Sequence, residues 1–357
     1  MERQGLILLG GKAKAMKNYI HVVLAALFAW CVLLGCAPGN ARAAEPLAIN
    51  IATYKGSLIS LPAEVAKAKG FFKLHGLTAS LLSFNSCPDQ IAALEGGGVD
   101  TVACPEPLVI KDNAKGFHLM AVTNNIAAQE YTLLARKGMA RPNRYKPYPQ
   151  NILDMKGKVV GITVRGSDVE NVARVFLKNA GLDPDQDVTW LTVGGPLTSI
   201  AAFKAGRLDY LVAWEPMQTV LVSVDHLADV VLDTRTGQGS PLFKDYISNM
   251  TQARQSVLRK SPEKFKRLAA VWAETIAYMK NPAHFDDLVA IYSSGSGLGK
   301  PAIEDMLRDN LRYFDSSISC TALDNVVKFE VDVGDVPQAK APSCKDLVWS
   351  GSDAYLH

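Results

Sequence analysis

Short apolar runs alternate with amphipathic stretches along most of the chain, and this alternation predicts strands followed by helices. Residues 159–162 are apolar, and the next segment carries an apolar stripe at Val169, Val172, Ala173, Phe176, Leu177 and Ala180. Apolar residues at i, i+3, i+4 and i+7 are typical of a helix that packs one face on a sheet. Strands that alternate with helices of this length favour parallel sheets covered on both faces. The pattern therefore predicts an α/β fold.

The same order of elements occurs twice. Residues 91–100 and 200–209 both begin with Ile-Ala-Ala, carry a glycine at the same offset and end in aspartate. Each stretch is followed by a short apolar run and a Glu-Pro pair, which begins at Glu106 in the first copy and at Glu215 in the second. Upstream, each copy has an apolar run that leads into a basic-Gly-Ser turn. A repeat of this length indicates two lobes of the same design.

The repeat sets the predicted domain boundaries. They are a signal segment (1–43), a first lobe (44–135), a second lobe (136–236), a return to the first lobe with C-terminal helices (237–315) and a C-terminal extension (316–357). Polar, Pro-rich stretches at 139–151 and 234–241 are the predicted crossovers, and two crossovers form a hinge. We expect the ligand between the lobes, at the carboxyl ends of the strands.

The first 43 residues have the order of an export signal: lysines, an apolar run at 20–34, a polar break and an Ala-x-Ala site that ends at Ala43. A run of about 15 residues is short for a bilayer span, which needs about 20. Cleavage after Ala43 predicts a soluble periplasmic protein. A lipobox-like sequence that ends at Cys36 leaves a lipid-anchored form open.

Net charge argues against nucleic acid as a partner, and the cysteine content predicts disulfides. The formal net charge is +3 for the whole chain and −1 once the first 43 residues are removed, which gives no electrostatic basis for binding nucleic acid. Two of the six cysteines fall in the signal segment. The other four, in an oxidising compartment, predict a Cys320–Cys344 disulfide. A Cys87–Cys104 bond and two free thiols that touch a ligand or a soft metal are both open.

As a set, the motifs resemble the periplasmic solute-binding proteins of ABC importers, specifically the aliphatic-sulfonate, taurine and nitrate group that also includes binders of thiamine-pyrimidine precursors. The likeness lies in residues 66–77, 91–100, 155–162, 165–167, 180–183, 205–209 and 214–216. It implies two type II lobes, each with a mainly parallel sheet, that close on a small-molecule ligand. It also implies no catalysis and no cofactor, a monomeric protein, and a membrane permease and ATPase as partners.

The turn at Arg165, Gly166 and Ser167 allows two interpretations. Ser167 with Glu170 three residues later forms a capping box, which satisfies the helix N-terminus by itself. Alternatively, the free N–H groups, the positive helix end and Arg165 receive an acidic group. Asp168 and Glu170 weaken this second interpretation, because their charges already lie where an anion would bind.

The remaining candidates lie where predicted strands end. Trp214 either packs in the core or stacks on a ligand, and Glu215 either reaches solvent or holds a donor such as an amine. Tyr54, Lys55 and Ser57 are expected on the opposing wall. Further ligand-binding candidates are Asn85, Ser86, Cys104, Pro105, Asn124 and Gly195.

A sulfonate or related small acid is the leading ligand, and a vitamin-precursor heterocycle or an aromatic acid is the alternative. The acids near the site also leave room for an amine-bearing molecule. An enzyme of the same fold is a third hypothesis, disfavoured because the sequence has no Walker loop, no Gly-x-Ser-x-Gly elbow and no metal-type spacing of its six histidines.

Overall fold

The computed structural model describes residues 45–357. Its strands, in chain order, are β1 (Leu47–Tyr54), β2 (Leu77–Phe84), β3 (Val102–Pro105), β4 (Leu119–Ile126), β5 (Thr132–Arg136), β6 (Lys158–Ile162), β7 (Val188–Thr192), β8 (Tyr210–Ala213), β9 (Ala228–Asp233) and β10 (Asn249–Arg254). The helices are α1 (Leu61–Lys69), α2 (Phe71–Leu74), α3 (Cys87–Glu95), α4 (Glu106–Ala114), α5 (Asp168–Asn179), α6 (Pro196–Lys204), α7 (Gln255–Lys260), α8 (Pro262–Lys280), α9 (Phe285–Ser296), α10 (Lys300–Asn310), α11 (Cys320–Asp332) and α12 (Cys344–Leu347).

The strands form two sheets with the same internal order. In the first lobe, β2 pairs with β1, and β3-β10-β4 continue the sheet through a parallel bridge between Ile51 and Thr101. In the second lobe the order is β7-β6-β8-β5-β9. In each sheet the single reversed strand, β10 or β5, is the one that enters from the other lobe's part of the chain. The predicted two-lobed α/β fold with mainly parallel sheets is confirmed.

Helix α5 shows how the apolar pattern becomes packing. Ser167 caps its N-terminus and accepts a hydrogen bond from the Glu170 amide at 3.4 Å. The predicted stripe is buried, with Val172 and Phe176 fully inaccessible to solvent. Burying an aliphatic or aromatic side chain of this size contributes about 1.5–3 kcal/mol, so the stripe fixes the helix on the second sheet and holds its first turn at the gap between the lobes.

The predicted position of the first crossover is wrong. Strand Thr132–Arg136, which the predicted boundaries assign to the first lobe, pairs with β8 and β9 of the second sheet. The chain therefore crosses at 127–131, before β5. Residues 139–151 instead form turns on the second lobe, where the Asp154 carboxylate accepts a hydrogen bond from the Asn143 amide at 2.9 Å. Polar composition alone does not distinguish a crossover from an ordinary surface loop.

The second crossover runs beside the first. The chain returns to the first lobe between β9 and β10, and it includes the predicted stretch 234–241. The Thr234 hydroxyl donates to the carbonyl of Gln129 at 2.9 Å, and the Thr234 amide donates to the carbonyl of Tyr131 at 3.0 Å. We call these two hydrogen-bonded segments, 127–131 and 234–248, the hinge.

The C-terminal extension belongs to the first lobe. Its helix α11 packs on α4, and the Trp349 amide donates to the carbonyl of Ala121 in strand β4 at 3.0 Å. Val348 forms a parallel bridge with Ala121. Residues 316–357 therefore extend the edge of the first sheet.

Disulfides join Cys87 to Cys104 and Cys320 to Cys344. The first links the start of α3 to β3, and the second links α11 to α12. The predicted export signal, with its cleavage site at Ala43 and the alternative anchor at Cys36, lies outside the described residues. Within residues 45–357, no helix combines the length and the apolar character needed to cross a bilayer.

Candidate functional site

The two lobes touch directly at their facing turns. The Leu58 amide of the first lobe donates to the carbonyl of Glu215 in the second at 3.3 Å. The Trp214 indole Nε1 donates to the Ser57 hydroxyl at 3.1 Å. The structure is therefore a closed form, in which the first-lobe turn lies against the end of strand β8.

Two adjoining cavities lie between the lobes, and Ile59, Glu130 and Trp214 line both of them. The larger, about 380 Å³, extends towards Tyr54 and Asp168, and we call it the carboxylate cavity. The other, about 360 Å³, extends towards Arg235 and Asn310, and we call it the hinge cavity. Their positions correspond to the predicted ligand site at the carboxyl ends of the strands.

The carboxylate cavity contains two acidic side chains that the protein leaves unsatisfied. Asp168 lies at the first position of helix α5 and is 1% exposed, yet neither of its carboxylate oxygens makes a hydrogen bond of normal geometry among the described residues, although the Tyr131 hydroxyl lies nearby. Glu130 lies on the hinge, and its Oε1 is buried and has no partner there either. An unpaired buried carboxylate is costly, so this pair is a strong candidate for ligand binding.

Burial shifts the pKa of both acids upward. It raises the pKa of Asp168 to about 6, against the opposing influence of Tyr131 and the Lys111 ammonium. It raises the pKa of Glu130 to about 8, and the nearby Asp168 charge adds to the shift while Ser248 opposes it. The charge of Asp168 thus disfavours ionisation of Glu130 in the closed cavity.

Aromatic side chains form much of the remaining wall. Tyr54 comes from the first lobe, Tyr131 from the hinge and Trp214 from the second lobe, and all three are buried. The rings of Tyr131 and Trp214 meet edge to face, with centroids 6.2 Å apart. Among the described residues, no lysine or arginine lines this cavity.

The hinge cavity differs from the carboxylate cavity, because its charged side chains are paired with other groups of the protein. Glu215 accepts from the Thr219 amide at 3.1 Å and from the Asn310 side chain at 3.4 Å. Arg235 forms an ion pair with Asp233 at 2.7 Å and donates to Asn310 at 2.8 Å. Burial raises the pKa of Glu215, and Thr219 and Arg235 partly offset that shift. This network supports the hinge rather than offering a free binding group.

A second group of buried acids lies behind the carboxylate cavity. Glu106 is fully buried, and burial raises its pKa to about 8 although Gln252 donates to it at 2.9 Å. Glu330, on helix α11 of the C-terminal extension, is fully buried with both oxygens unpaired among the described residues. Its negative charge interacts with that of Asp168, so the extension contributes to the electrostatics of the site.

Six of the predicted site residues line the cavities. Tyr54, Ser86, Pro105, Ser167 and Trp214 line the carboxylate cavity, and Glu215 lines the hinge cavity. Trp214 fits both predicted alternatives, since it is 6% exposed and its accessible face borders the cavities. Ser86 and Ser167 also cap the helices that follow them.

Several predicted residues are instead part of the contact between the lobes. Ser57 is buried and bonded to Trp214, and Lys55 beside it is exposed. Asn85 is exposed and lies against Gly195, where an added Cβ would be 3.3 Å from the Asn85 carbonyl. These residues bring the lobes together without lining either cavity.

Four other predicted residues do not reach the cavities. Arg165 is largely exposed and pairs with Glu170 at 3.0 Å, and the Gly166 amide donates to the same carboxylate at 2.8 Å. Cys104 is fully buried behind its disulfide. Asn124 is buried in strand β4 away from both cavities. The capping interpretation of the 165–167 turn therefore accounts for its contacts.

The structure adds residues that the sequence did not single out. Glu130 and Tyr131 lie on the hinge, where the sequence predicted the end of the first lobe. The sequence marked Asp168 as a first-turn acid that opposes anion binding and leaves room for an amine-bearing ligand, but not as a cavity residue; it is 1% exposed and lines the carboxylate cavity. Arg235 falls in a segment interpreted as a polar crossover. The repeat in the sequence contained no signal for any of them.

Comparisons with known proteins agree with this architecture. Residues 43–293 match the NMT1-like family. The nitrate/nitrite binding protein NrtA of a Nostoc species is 26% identical over 257 residues, a match that covers 63% of this chain and 54% of NrtA. The chain thus spans about half the length of this curated relative.

Solved structures share the fold. A Bordetella bronchiseptica protein superposes with a TM-score of 0.75 at 22% identity, covering 86% of this chain and 96% of its own. The alkanesulfonate-binding protein SsuA of Xanthomonas axonopodis, bound to MOPS, superposes with a TM-score of 0.68 at 18% identity, covering 86% of this chain and 99% of its own. The family match and these two-lobed neighbours lead to one conclusion: the chain belongs to the NMT1-like family and has the fold of the periplasmic solute-binding proteins of ABC importers.

Proposed function

We propose that this protein is the substrate-binding component of an ABC importer and captures a small polar organic molecule between its lobes. The observation that carries the proposal is the carboxylate cavity between the lobes, whose walls come from both lobes and from the hinge. A ligand in this position contacts all three parts at once. It therefore binds the closed form more tightly than the open form, and closure follows from that difference in affinity.

The hinge is itself part of the binding site. Glu130 and Tyr131 lie on the crossing segment 127–131 and line the cavity, and Tyr131 is hydrogen-bonded to Thr234 of the returning segment. A bound molecule that contacts Glu130 or Tyr131 thus acts where the backbone must rotate during closure. This placement supports a role in signalling occupancy to a membrane partner.

Binding without chemical conversion fits the groups present. The Ser86 hydroxyl donates to the Asp89 carboxylate at 2.7 Å and accepts from the Asp89 amide at 3.3 Å, so both groups serve the cap of helix α3. The corresponding partners are a permease and an ATPase, and the protein acts as a monomer. The export signal places it outside the cytoplasm, soluble after cleavage near Ala43 or anchored at Cys36.

Closure and retention of the ligand are the test of this function. The exported protein is unfolded in chaotrope, refolded without ligand and mixed with a low-molecular-mass extract of cells that naturally express the chain. We expect a higher Tm, a smaller radius of gyration in small-angle scattering, and recovery of the bound compound unchanged by mass spectrometry. Absence of any stabilising compound contradicts solute capture, and conversion of the compound would favour the enzyme alternative.

A further inference from the structure

We propose that the captured molecule is a small organic cation whose protonated or quaternary nitrogen lies between Asp168 and Glu130, against the rings of Tyr54, Tyr131 and Trp214. The inference rests on the proposed function and names the class of ligand for that same cavity. It differs from the sulfonate or other acid that the sequence favours and that the names of the relatives suggest.

The first argument is the state of the two carboxylates. Both oxygens of Asp168, at 1% exposure, and Oε1 of Glu130 make no hydrogen bond of normal geometry among the described residues, and both side chains line the cavity. The hydroxyls of Tyr131 and Ser248 lie near Asp168 and Glu130 respectively and lower their pKa values, but neither hydroxyl carries a compensating charge. Buried ionic groups are normally paired. An ammonium donates up to three hydrogen bonds and carries the compensating charge, so a cation supplies what this wall lacks.

The second argument is that the cavity offers little to an anion. The Trp214 Nε1 is already bonded to Ser57, and the Ser86 hydroxyl donates to Asp89. At the N-terminus of helix α5, Ser167 already accepts from the Glu170 amide. These three donors, the Trp214 indole, the Ser86 hydroxyl and the Glu170 amide, therefore already have partners within the protein.

The nearby basic side chains are also neutralised. Lys111 pairs with Asp335 at 2.7 Å, and Arg165 pairs with Glu170 at 3.0 Å outside the cavity. A sulfonate placed beside Asp168 would meet the like charge of its ionised carboxylate in a buried site. Such repulsion is costly when water is excluded.

The third argument is the composition of the wall. Three aromatic rings come from different parts of the fold and border the same space as the acids. Cations bind favourably against aromatic faces. Carboxylates combined with aromatic rings therefore suit an organic cation, whose carbon atoms pack on the rings while its nitrogen faces the acids.

Coordination points to an organic molecule rather than a metal ion. Within residues 45–357, no group of three or more histidine, cysteine, aspartate or glutamate side chains is arranged to hold a metal ion. A hard cation needs more oxygen ligands than this wall presents.

The experiment separates the extract by charge. Low-molecular-mass extract of cells that naturally express the chain is divided by ion exchange into cationic, anionic and neutral fractions. Each fraction is added to the ligand-free exported protein, and Tm is measured. The compound isolated from the active fraction is then titrated by calorimetry into the wild type, Asp168→Asn, Glu130→Gln and a matched control, Asp305→Asn, whose carboxylate is exposed on helix α10.

The proposal expects the cationic fraction to stabilise the wild type and Asp305→Asn. It expects the affinity for the isolated compound to fall at least tenfold in both Asp168→Asn and Glu130→Gln. Stabilisation by the anionic or neutral fraction alone overturns the cation assignment but leaves solute capture standing. Equal affinity in all four proteins overturns the placement of the nitrogen between the two carboxylates. No stabilisation by any fraction overturns solute capture as well.

Discussion

The indole of Trp214 donates a hydrogen bond to the hydroxyl of Ser57 at 3.1 Å, and the two residues belong to different lobes. Both are buried in the closed form. The Ser57 hydroxyl also accepts a hydrogen bond from the Ile59 amide at 3.2 Å. It therefore connects a first-lobe turn to the end of a second-lobe strand. The ring of Trp214 borders both cavities. Closure and ligand contact therefore share one side chain.

Replacing Trp214 by alanine should weaken ligand binding at least tenfold, because it removes both the cavity wall and the bond to Ser57. Trp190→Ala is the matched control, since that indole donates to the Pro184 carbonyl within the second lobe. Calorimetric titration with the extracted ligand measures both variants. Retention of wild-type affinity in Trp214→Ala would remove this residue from the binding wall.

Ser57→Ala separates the two contributions of Trp214. The substitution keeps the indole in the cavity wall and deletes only its acceptor in the first lobe. We expect a smaller loss of affinity, on the order of 1 kcal/mol for one hydrogen bond, together with a smaller decrease in radius of gyration on ligand addition than in the wild type. An equal decrease in small-angle scattering would show that this bond does not hold the lobes together.

Asp168→Asn should stabilise the ligand-free closed protein while it weakens binding. Burial raises the pKa of this carboxyl from 3.8 to about 6, so its ionised form destabilises the fold at neutral pH. The gain is on the order of 1–3 kcal/mol. Urea unfolding at pH 7.5 measures it, with Asp305→Asn as the exposed control. A destabilised Asp168→Asn protein would indicate that the carboxylate has a structural partner.

The ligand-free wild type should lose stability as the pH rises from about 4 to 8. The pKa values of Asp168, Glu130 and Glu106 are raised by burial to about 6, 8 and 8. An acid with a raised pKa favours folding when protonated, and that contribution disappears as the pH passes through the folded-state value. The drop in Tm between pH 5 and pH 8 should be smaller in Glu130→Gln. An equal drop in both proteins would argue against a protonated Glu130.

Cation binding should in turn strengthen over the same range and release protons. The charged groups that face Asp168 and Glu130 come from the hinge, helix α4, the loop after α11, and α11 itself: Tyr131, Lys111, Asp335 and Glu330. With Glu130 protonated at pH 7 and ionised in the complex, calorimetric heats should differ between buffers of different ionisation enthalpy. Heats that do not depend on the buffer would contradict this coupling.

The sequence predicted the fold well because its strongest signals are local and repeated. The stripe on α5 and the matching Ile-Ala-Ala helices fixed the order of elements in both lobes. The sequence did not show that strand β5 belongs to the second sheet, because its first four residues are all buried. Such a strand is an apolar run with no alternation to show its direction or its sheet.

The predictions for the site were less successful for a related reason. Trp214 and Ser167 were identified because the repeat marks strand ends. Glu130 was not, because an acid in a short connecting segment looks like a solvated surface charge, and only contacts distant in sequence bury it. Arg165 was overestimated, since its pairing with Glu170 depends on helix geometry that occupies both groups. Residue type and spacing do not determine which polar group is left without a hydrogen-bond partner in the folded protein.

The two disulfides, Cys87–Cys104 and Cys320–Cys344, both reinforce the first lobe, and among residues 45–357 neither connects to the second. The first lobe is consequently cross-linked, whereas the second lobe is held by non-covalent contacts and should be more flexible. Slow structural fluctuations should be more frequent in the second lobe, and amide hydrogen exchange there should be faster than in the first lobe. Thiol reductants should then lower the stability of the first lobe without changing the hinge motion, because no disulfide among residues 45–357 joins the two lobes.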